Sequence, residues 1–471
     1  MKVRRIATHG SGALVAAIFF VAGGNANART RRPITAEDVA TQAVTTSPDL
    51  EAKQAELAQA AAQVDQALVA FAPRFGLLAR YTRLSDIDAP VLGVLLVAPT
   101  VPEGPIPPGT PLVNVATRFP VILNQGTFSA TLSVPLSDYV FRLVQQKGAA
   151  DGNVRAAKVA RDAARLRVKA EAKLAYYAFA RAKLSIPLAE QAVAATYGHK
   201  EDVTHAFEAG QASRADVLRV ESQLAESEHL LARTKNLANV AEAQIGTLLH
   251  EPVGAAYDVA EDLERSVDLD VLGSPASLVE EARSARLELR AIEESSRALD
   301  AQTSATKAGA YPRVDAFGDV TAANPNPRYV PQQSTFLTTW AVGAQLTWTP
   351  NDTFSALAQG RAVSAKKAQA DADAKRLVDA IRIEVAQAVE SVQNARSSLE
   401  TSKRSLLAAE EGYRVRRALF QSGRATSVEL TDAETELTRA RLASLGAKID
   451  ARVASVRLRH ATGRDRPNLS P

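Results

Sequence analysis

The chain contains no cysteine. That excludes disulfides, thiolate metal sites and a cysteine nucleophile, and with them attachment through a lipid-modified cysteine. Aromatic residues are scarce at 5%, with only two tryptophans, so each tryptophan position carries information. An excess of one charge is also lacking. The formal balance is +4 over 471 residues, and Lys2, Arg4 and Arg5 supply three of those charges, leaving about +1 for the rest. No electrostatic footprint for nucleic acid results, and no nucleic-acid partner is expected. The one apolar run near the N-terminus, residues 13–22 (ALVAAIFFVA), is too short to cross a bilayer, which takes about 20 residues. With the basic residues before it and Ala26-Asn27-Ala28 after it, residues 1–28 are expected to be a cleaved secretory signal.

Catalytic constellations are missing as well. His199, His205, His229, His250 and His460 show no His-Glu-x-x-His or similar ligand spacing, and read as solvated residues on helices. There is no P-loop or nucleophile elbow, and Gly10-Ser11-Gly12 falls within the signal. The expectation is a protein that is not an enzyme and that uses no cofactor or metal.

What the chain does have is internal repetition. An offset of 239 pairs Val39 with Leu278, Ala43 with Ala282, Leu50 with Leu289 and Pro73-Arg74 with Pro312-Arg313. At 214, Ala130 meets Ala344, Leu132 meets Leu346 and Asp138 meets Asp352. At 213, Glu171 meets Glu384, Phe207 meets Phe420, Gly210 meets Gly423 and Leu224 meets Leu437. Most of the change in offset falls between Thr82 and Thr127, where the first copy carries a Pro-rich insertion, as exposed loops do. The predicted plan is helix, strand, loop, strand, long helix, tip, long helix, run twice. It divides into repeats at 29–265 and 266–463, with a tail at 464–471.

The helical parts are Ala-rich and heptadic. Val168, Ala172, Ala175, Phe179, Ala182, Ile186, Ala189 and Val193 step by four and three, as do Val217, Val220, Leu224, Ser227, Leu231, Thr234, Ala238, Ala241, Ile245 and Leu248. Ile381, Val385, Ala388, Val392, Ala395 and Leu399, then Leu430, Ala433, Leu437 and Ala440, repeat the pattern. A 3.5-residue period marks coiled-coil packing, and alanine knobs permit close approach. One helix is predicted from about Tyr139 to Phe207, on the order of 100 Å long at 1.5 Å per residue, with a kink expected at Pro187. At its end, Gly210 and Gly423 suit a left-handed helix terminus. Ser213-x-x-Asp216 and Thr426-x-x-Glu429 read as capping boxes that open the return helices.

The strands alternate instead. Phe128, Ala130, Leu132, Val134 and Leu136 share one face, and Phe75, Leu77, Ala79 and Tyr81 another, less cleanly. In the last strand Trp340, Val342, Ala344, Leu346 and Trp348 oppose Gly343, Gln345 and Thr347. Such segments build transmembrane β-barrels, and Trp340 and Trp348 are candidates for an aromatic girdle. A strand on the core of a water-soluble sandwich alternates identically, but four such strands behind a secretory signal favour the barrel. Four strands cannot close a barrel, since bacterial examples start at about eight. Open edges in lipid would cost several kcal/mol for each unpaired group. The chain is therefore expected to oligomerise; counting alone does not decide between dimer and trimer. Residues 99–111 (PTVPEGPIPPGTP) read as an extended, polyproline-like loop. The apolar run 91–98 before it either extends the barrel or packs on its rim.

These residues resemble the outer membrane efflux proteins, the TolC-like outer membrane factors, over about residues 35–463. The most specific likeness lies in the tips, Phe207-Glu-Ala-Gly-Gln-Ala-Ser-Arg-Ala-Asp-Val-Leu218 and Phe420-Gln-Ser-Gly-Arg-Ala-Thr-Ser-Val-Glu-Leu-Thr431, which match an aromatic-x-x-Gly-x-x-[Ser/Thr]-x-x-acid-apolar signature. The corners Val134-Pro-Leu-Ser-Asp138 and Trp348-Thr-Pro-Asn-Asp352 are also similar, with Ser-Asp and Asn-Asp where Phe-Asp-Gly is frequent. The resemblance implies an α+β membrane protein of the cell outer membrane: a homotrimer whose four strands per chain form a twelve-stranded transmembrane barrel, continuous with a twelve-helix periplasmic coiled-coil barrel. It implies passive export in tripartite efflux or type I secretion, with a periplasmic adaptor (membrane fusion) protein and an inner-membrane pump of RND, ABC or MFS type as partners. By the same resemblance Gly210, Gln211, Ala212, Ser213, Gly423, Arg424, Ala425 and Thr426 form adaptor-docking tips. Asp216, Glu429 and Asp432 match the acids that ring the periplasmic entrance. Helix capping alone accounts for Asp216 and Glu429 as first-turn acids, but not for Asp432. Arg214 and Arg424 stand where many relatives are apolar, which changes the local charge. The competing class is a periplasmic coiled-coil scaffold or adaptor with a small β-domain.

Overall fold

The computed structural model describes residues 31–88, 91–99, 104–118, 121–252, 254–267, 269 and 273–466. The secretory signal at 1–28, residues 100–103 of the Pro-rich loop and the tail beyond 466 lie outside the described residues. In chain order the elements are β1 (Arg32–Ile34), α1 (Ala36–Thr46), α2 (Pro48–Val69), β2 (Arg74–Arg83), β3 (Val91–Val97), β4 (Val113–Arg118), β5 (Asn124–Val134), α3 (Leu136–Phe141), α4 (Leu143–Glu208) and α5 (Arg214–Leu248). Then follow β6 (Tyr257–Val259), α6 (Pro275–Ala285), α7 (Leu287–Lys307), β7 (Arg313–Asn324), β8 (Leu337–Thr347), α8 (Pro350–Gln421) and α9 (Ser427–Ala461).

The order helix pair, strand, strand, long helix, return helix occurs in both halves. Local details recur with it. The first helix pair breaks at Ser47 (φ −68°, ψ 120°) and the second at Arg286 (φ −68°, ψ 121°). Pro48 enforces the first break by restricting the residue before it. At the second, buried Arg286 reaches Glu288 and Glu384.

The heptad positions are the packed ones. Val168, Ala172, Phe179 and Ala189 are buried on α4, and Val220, Leu224, Ser227, Thr234, Ala238, Ala241 and Ile245 on α5. Ile381, Val385, Ala388, Val392 and Ala395 are buried on α8, and Leu430, Ala433, Leu437 and Ala440 on α9. At one end of the helical layer α4 lies between α5 and α9, with α8 beyond α9; at the other, α2 and α7 pack on α4, and α7 also on α8.

Several expectations need correction. The long helix begins at Leu143, after a separate short α3, because Arg142 turns the backbone (φ −111°, ψ −51°). At 66 residues α4 has about the expected length, and Pro187 lies inside it. Leu136 lies outside the strand: Pro135 ends β5 and Leu136 opens α3, since proline has no N–H for the ladder. Trp348 likewise sits one residue past β8, at the corner where Pro350 starts α8. The apolar run 91–98 does not join the four-stranded sheet; β3 pairs antiparallel with β4 in a separate two-stranded sheet.

Two short parallel strands, β1 and β6, were not foreseen. They cap the main core, where Ile34, Val39, Tyr176, Phe179, Ile245, Tyr257 and Ile449 pack together. Tyr176 Oη donates to the Ile34 carbonyl at 3.1 Å. Buried Arg452 pins the inter-repeat segment to α9 through Glu261 and the carbonyls of Asp262 and Arg265.

Candidate functional site

The four-stranded antiparallel sheet has the order β2-β5-β7-β8. Its register sets Phe75, Leu132, Gly318 and Val342 in one row across all four strands, and Leu77, Ala130, Val320 and Trp340 in the next. Ala79, Phe128 and Ala322 continue the same face. Strand side chains alternate, so one register slip would scatter this set over both faces. The face stands open: Leu77 is 75% exposed, Trp340 70% and Val342 73%.

The other face carries Arg74, Arg80, Thr127, Ser129, Thr131, Ser133, Asp315, Asp319, Thr321, Thr339 and Gln345. It also carries Leu78, Leu337 and Phe317, and Phe317 lies over Gly343, where an added Cβ would meet the ring at 3.0 Å. A single chain thus presents an apolar sheet surface far larger than scattered surface residues, and such a surface calls for a partner or a lipid. Trp340 sits in the middle rows by register, and Trp348 donates through Nε1 to Thr353 Oγ1 at 3.1 Å.

The layer has two free edges. Among the described residues β2 pairs only with β5, and β8 only with β7. The helices repeat this pattern. On α5, Ala215, Leu218, Ser222, Ala225, His229, Ala232, Asn236, Asn239 and Ala243 are exposed and step by three and four, opposite the buried seam. On α8, Ser405, Ala408, Gly412, Val415 and Leu419 do the same. These second seams escaped the sequence reading, although their heptad spacing and small residues were the available signal. No helix among the described residues is long and apolar enough to cross a membrane.

Both tips are built alike. Gly210 and Gly423 are left-handed (φ 73° and 71°). Gln211 N–H donates to the Ala206 carbonyl at 2.7 Å, and Arg424 N–H to that of Leu419 at 2.8 Å, each a Schellman closure. Nothing lies within 4 Å of an added Cβ at either glycine, so backbone conformation rather than space selects glycine. Ser213 N–H donates to Asp216 Oδ2 at 3.0 Å, its hydroxyl donates to the same oxygen at 2.6 Å, and Ser213 Oγ accepts from Asp216 N–H at 3.2 Å. Thr426 and Glu429 repeat the two N–H bonds at 2.8 and 3.3 Å. These bonds, from the Ser213 hydroxyl and the Thr426 backbone respectively, hold both carboxyls below their ordinary pKa values. Gly210, Gln211, Ser213, Gly423, Arg424 and Thr426 are exposed, and Ala212 and Ala425 are half-buried. Asp432, one turn further along α9, is exposed. No hydrogen bond or ion pair among the described residues joins Asp216, Glu429 and Asp432 to one another.

His199 corrects the view of the histidines as solvated. It is 3% exposed, with Nδ1 3.2 Å from Glu434 Oε2 and Nε2 3.2 Å from Ser427 Oγ. Its ring meets that of Phe420 edge-on at 5.2 Å. Serine, histidine and carboxylate in that order mimic a nucleophilic triad, but all three are buried, leaving Ser427 Oγ without an approach for substrate. His460 is also partly buried, against Asp465 at 2.8 Å. No group of three or more His, Cys, Asp or Glu among the described residues is arranged to hold a metal ion.

Comparison with known proteins bears on this geometry. The sequence matches the family model described as outer membrane efflux protein over residues 39–250 and 278–464. A comparison with curated proteins finds no match. The fold is similar to that of the outer-membrane channel OprN, with 20% identity, a TM-score of 0.73, and coverage of 92% of this chain and 93% of that one. It is similar to the outer membrane protein VceC from Vibrio cholerae at 17% identity, TM-score 0.71, covering 91% and 96%. The Campylobacter jejuni CmeC outer membrane channel matches at 13% identity, TM-score 0.72, covering 93% and 87%.

Proposed function

The chain belongs to the outer membrane efflux protein family, and on that premise we propose that it is the outer-membrane channel-tunnel of a tripartite efflux or secretion system. Three copies close a twelve-stranded barrel in the outer membrane and a twelve-helix tunnel in the periplasm. Substrates pass through it passively, and the energy comes from an inner-membrane pump of RND, ABC or MFS type acting through a periplasmic adaptor. Residues 29–265 and 266–463 are the two repeats that share each copy's contribution.

The observation that carries this reading is the sheet with one apolar exposed face and two unpaired edges. Lipid tolerates the apolar face but not the edges, because their N–H and C=O groups have no water to bond. Joining β2 of one copy to β8 of the next removes every edge. The vacant seams of α5 and α8 then meet in the same ring. The tips at Gly210–Ser213 and Gly423–Thr426 face the adaptor, and Asp216, Glu429 and Asp432 line the entrance they surround. Trp348, one residue past β8, contributes to the aromatic band, whereas Trp340 in the middle rows faces the lipid chains.

Cell fractionation tests the assignment. The outer-membrane fraction is expected to hold a trimer band on unheated gels that collapses to monomer on boiling. Recovery with the inner membrane, or in a salt wash, would favour a periplasmic scaffold or adaptor instead.

A further inference from the structure

His199 lies where three helices of one chain converge: it belongs to α4, bonds Ser427 and Glu434 on α9, and packs on Phe420 near the end of α8. Ser427 is the first residue of α9, four positions after Gly423, so the contact sits at the root of the second tip. The first tip begins eleven residues beyond His199, about 16 Å away at 1.5 Å per residue.

A carboxylate only accepts, so Nδ1 carries the proton toward Glu434. Nε2 then accepts from the Ser427 hydroxyl when the ring is neutral, and donates to it when the ring is charged. Each of the three groups is satisfied in either state, whereas removal of the imidazole takes a hydrogen-bond partner from both buried Ser427 and buried Glu434. The surrounding layer is also polar. Thr196 Oγ1 lies 3.4 Å from Ser227 Oγ, and Gln223 Nε2 donates to Thr435 Oγ1 at 3.3 Å. A polar layer in an otherwise apolar heptad seam fixes register.

The repeat offset shows that this contact is not a by-product of the shared plan. At 213 residues away, Gly412 stands in place of His199 and Arg214 in place of Ser427, while Glu221 keeps the acid of Glu434. Gly412 has nothing within 4 Å of an added Cβ, and Glu221 pairs with Lys200 instead. The contact exists once per chain.

We propose that His199 is a positioning residue that seats the second tip on the first hairpin, making the two tips of one chain a single rigid unit. The proposal rests on reading the tips as the docking surface, and assigns their relative pose to one buried imidazole. The absence of cysteine permits a clean test. Gln211→Cys and Gln421→Cys, both exposed, are spin-labelled in a chain diluted with unlabelled copies, and the label–label distance within that chain is read by pulsed electron paramagnetic resonance. The parent gives one narrow distribution. His199→Ala is expected to broaden it roughly twofold, and His199→Gln, which restores a donor and an acceptor, to recover part of the width. Ser427→Ala removes one hydroxyl without disturbing the start of α9 and serves if His199→Ala fails to fold; it too should broaden the distribution. An unchanged width in the folded variants would overturn the proposal. Failure of the channel reading would appear as loss of trimer or conductance, with this intrachain distance unaffected.

Discussion

An arginine placed on the apolar face of β8 should destabilise the protein far more than the same arginine three residues further along on the polar face. Strand β8 has eleven residues, about 36 Å at 3.3 Å per residue. Tilted by about 40°, it rises roughly 28 Å, close to the ~25 Å apolar band of a bacterial barrel. Val342 is the sixth of the eleven, so its side chain lies near mid-bilayer, on the face that also carries Trp340 and Leu346. An arginine at the midplane costs about 2–4 kcal/mol per copy, or on the order of 6–12 kcal/mol when three copies unfold together. Gln345 faces the other way, beside Asp315. Gln345→Arg should stay within about 0.5 kcal/mol per copy, as a solvated surface change does. Guanidinium unfolding of trimers in lipid vesicles, followed by tryptophan fluorescence, measures both. Equal destabilisation by Val342→Arg and Gln345→Arg, or the reverse order, would refute the assignment of the faces.

Two further outcomes concern the tips. Asp432→Ala combined with Glu429→Ala should raise planar-bilayer conductance and weaken preference for cations, since six carboxylates leave the proposed entrance; unchanged conductance and selectivity would exclude these residues from the constriction. Both capping carboxyls are held below their ordinary pKa values by the caps. Their stabilisation is therefore complete above the ordinary carboxylate range and disappears as pH falls through the lowered values. Amide exchange at residues 213–218 and 426–431, corrected for the intrinsic effect of pH, should lose protection in that acid window. An Asp216→Asn, Glu429→Gln chain, which has no carboxyl to titrate at either cap, should lack the dependence.

Long-range periodicity was the legible part of this fold. Val168 through Val193 and Ile381 through Leu399 declare their seams by repetition, and Gly210 and Gly423 declare the tips because a left-handed residue narrows the choice to glycine. Elements with no period left no such mark. The pairing of Arg32–Ile34 with Tyr257–Val259 spans more than two hundred residues and needs only three residues a side. The β3–β4 hairpin hid because Val91–Val97 is apolar at nearly every position, which destroys the alternation that marks a half-exposed strand. His199 was misread for a similar reason: its partners Ser427 and Glu434 lie 228 and 235 residues away, and nothing local distinguishes a buried imidazole from a solvated one. The second seams on α5 and α8 were visible, but a helix packed on two sides looks only weakly amphipathic.

Closure between copies is tested most directly by cross-linking across the proposed seam. In this cysteine-free chain, one cysteine is placed along β2, at Phe75, Leu77 or Ala79, and one along β8, at Trp340, Val342 or Ala344, in every combination. At least one combination should give, on oxidation, a trimer that survives boiling and returns to monomer on reduction. If no combination links copies while the chains remain folded in the outer membrane, β2 and β8 are not neighbours and the shared ring is wrong.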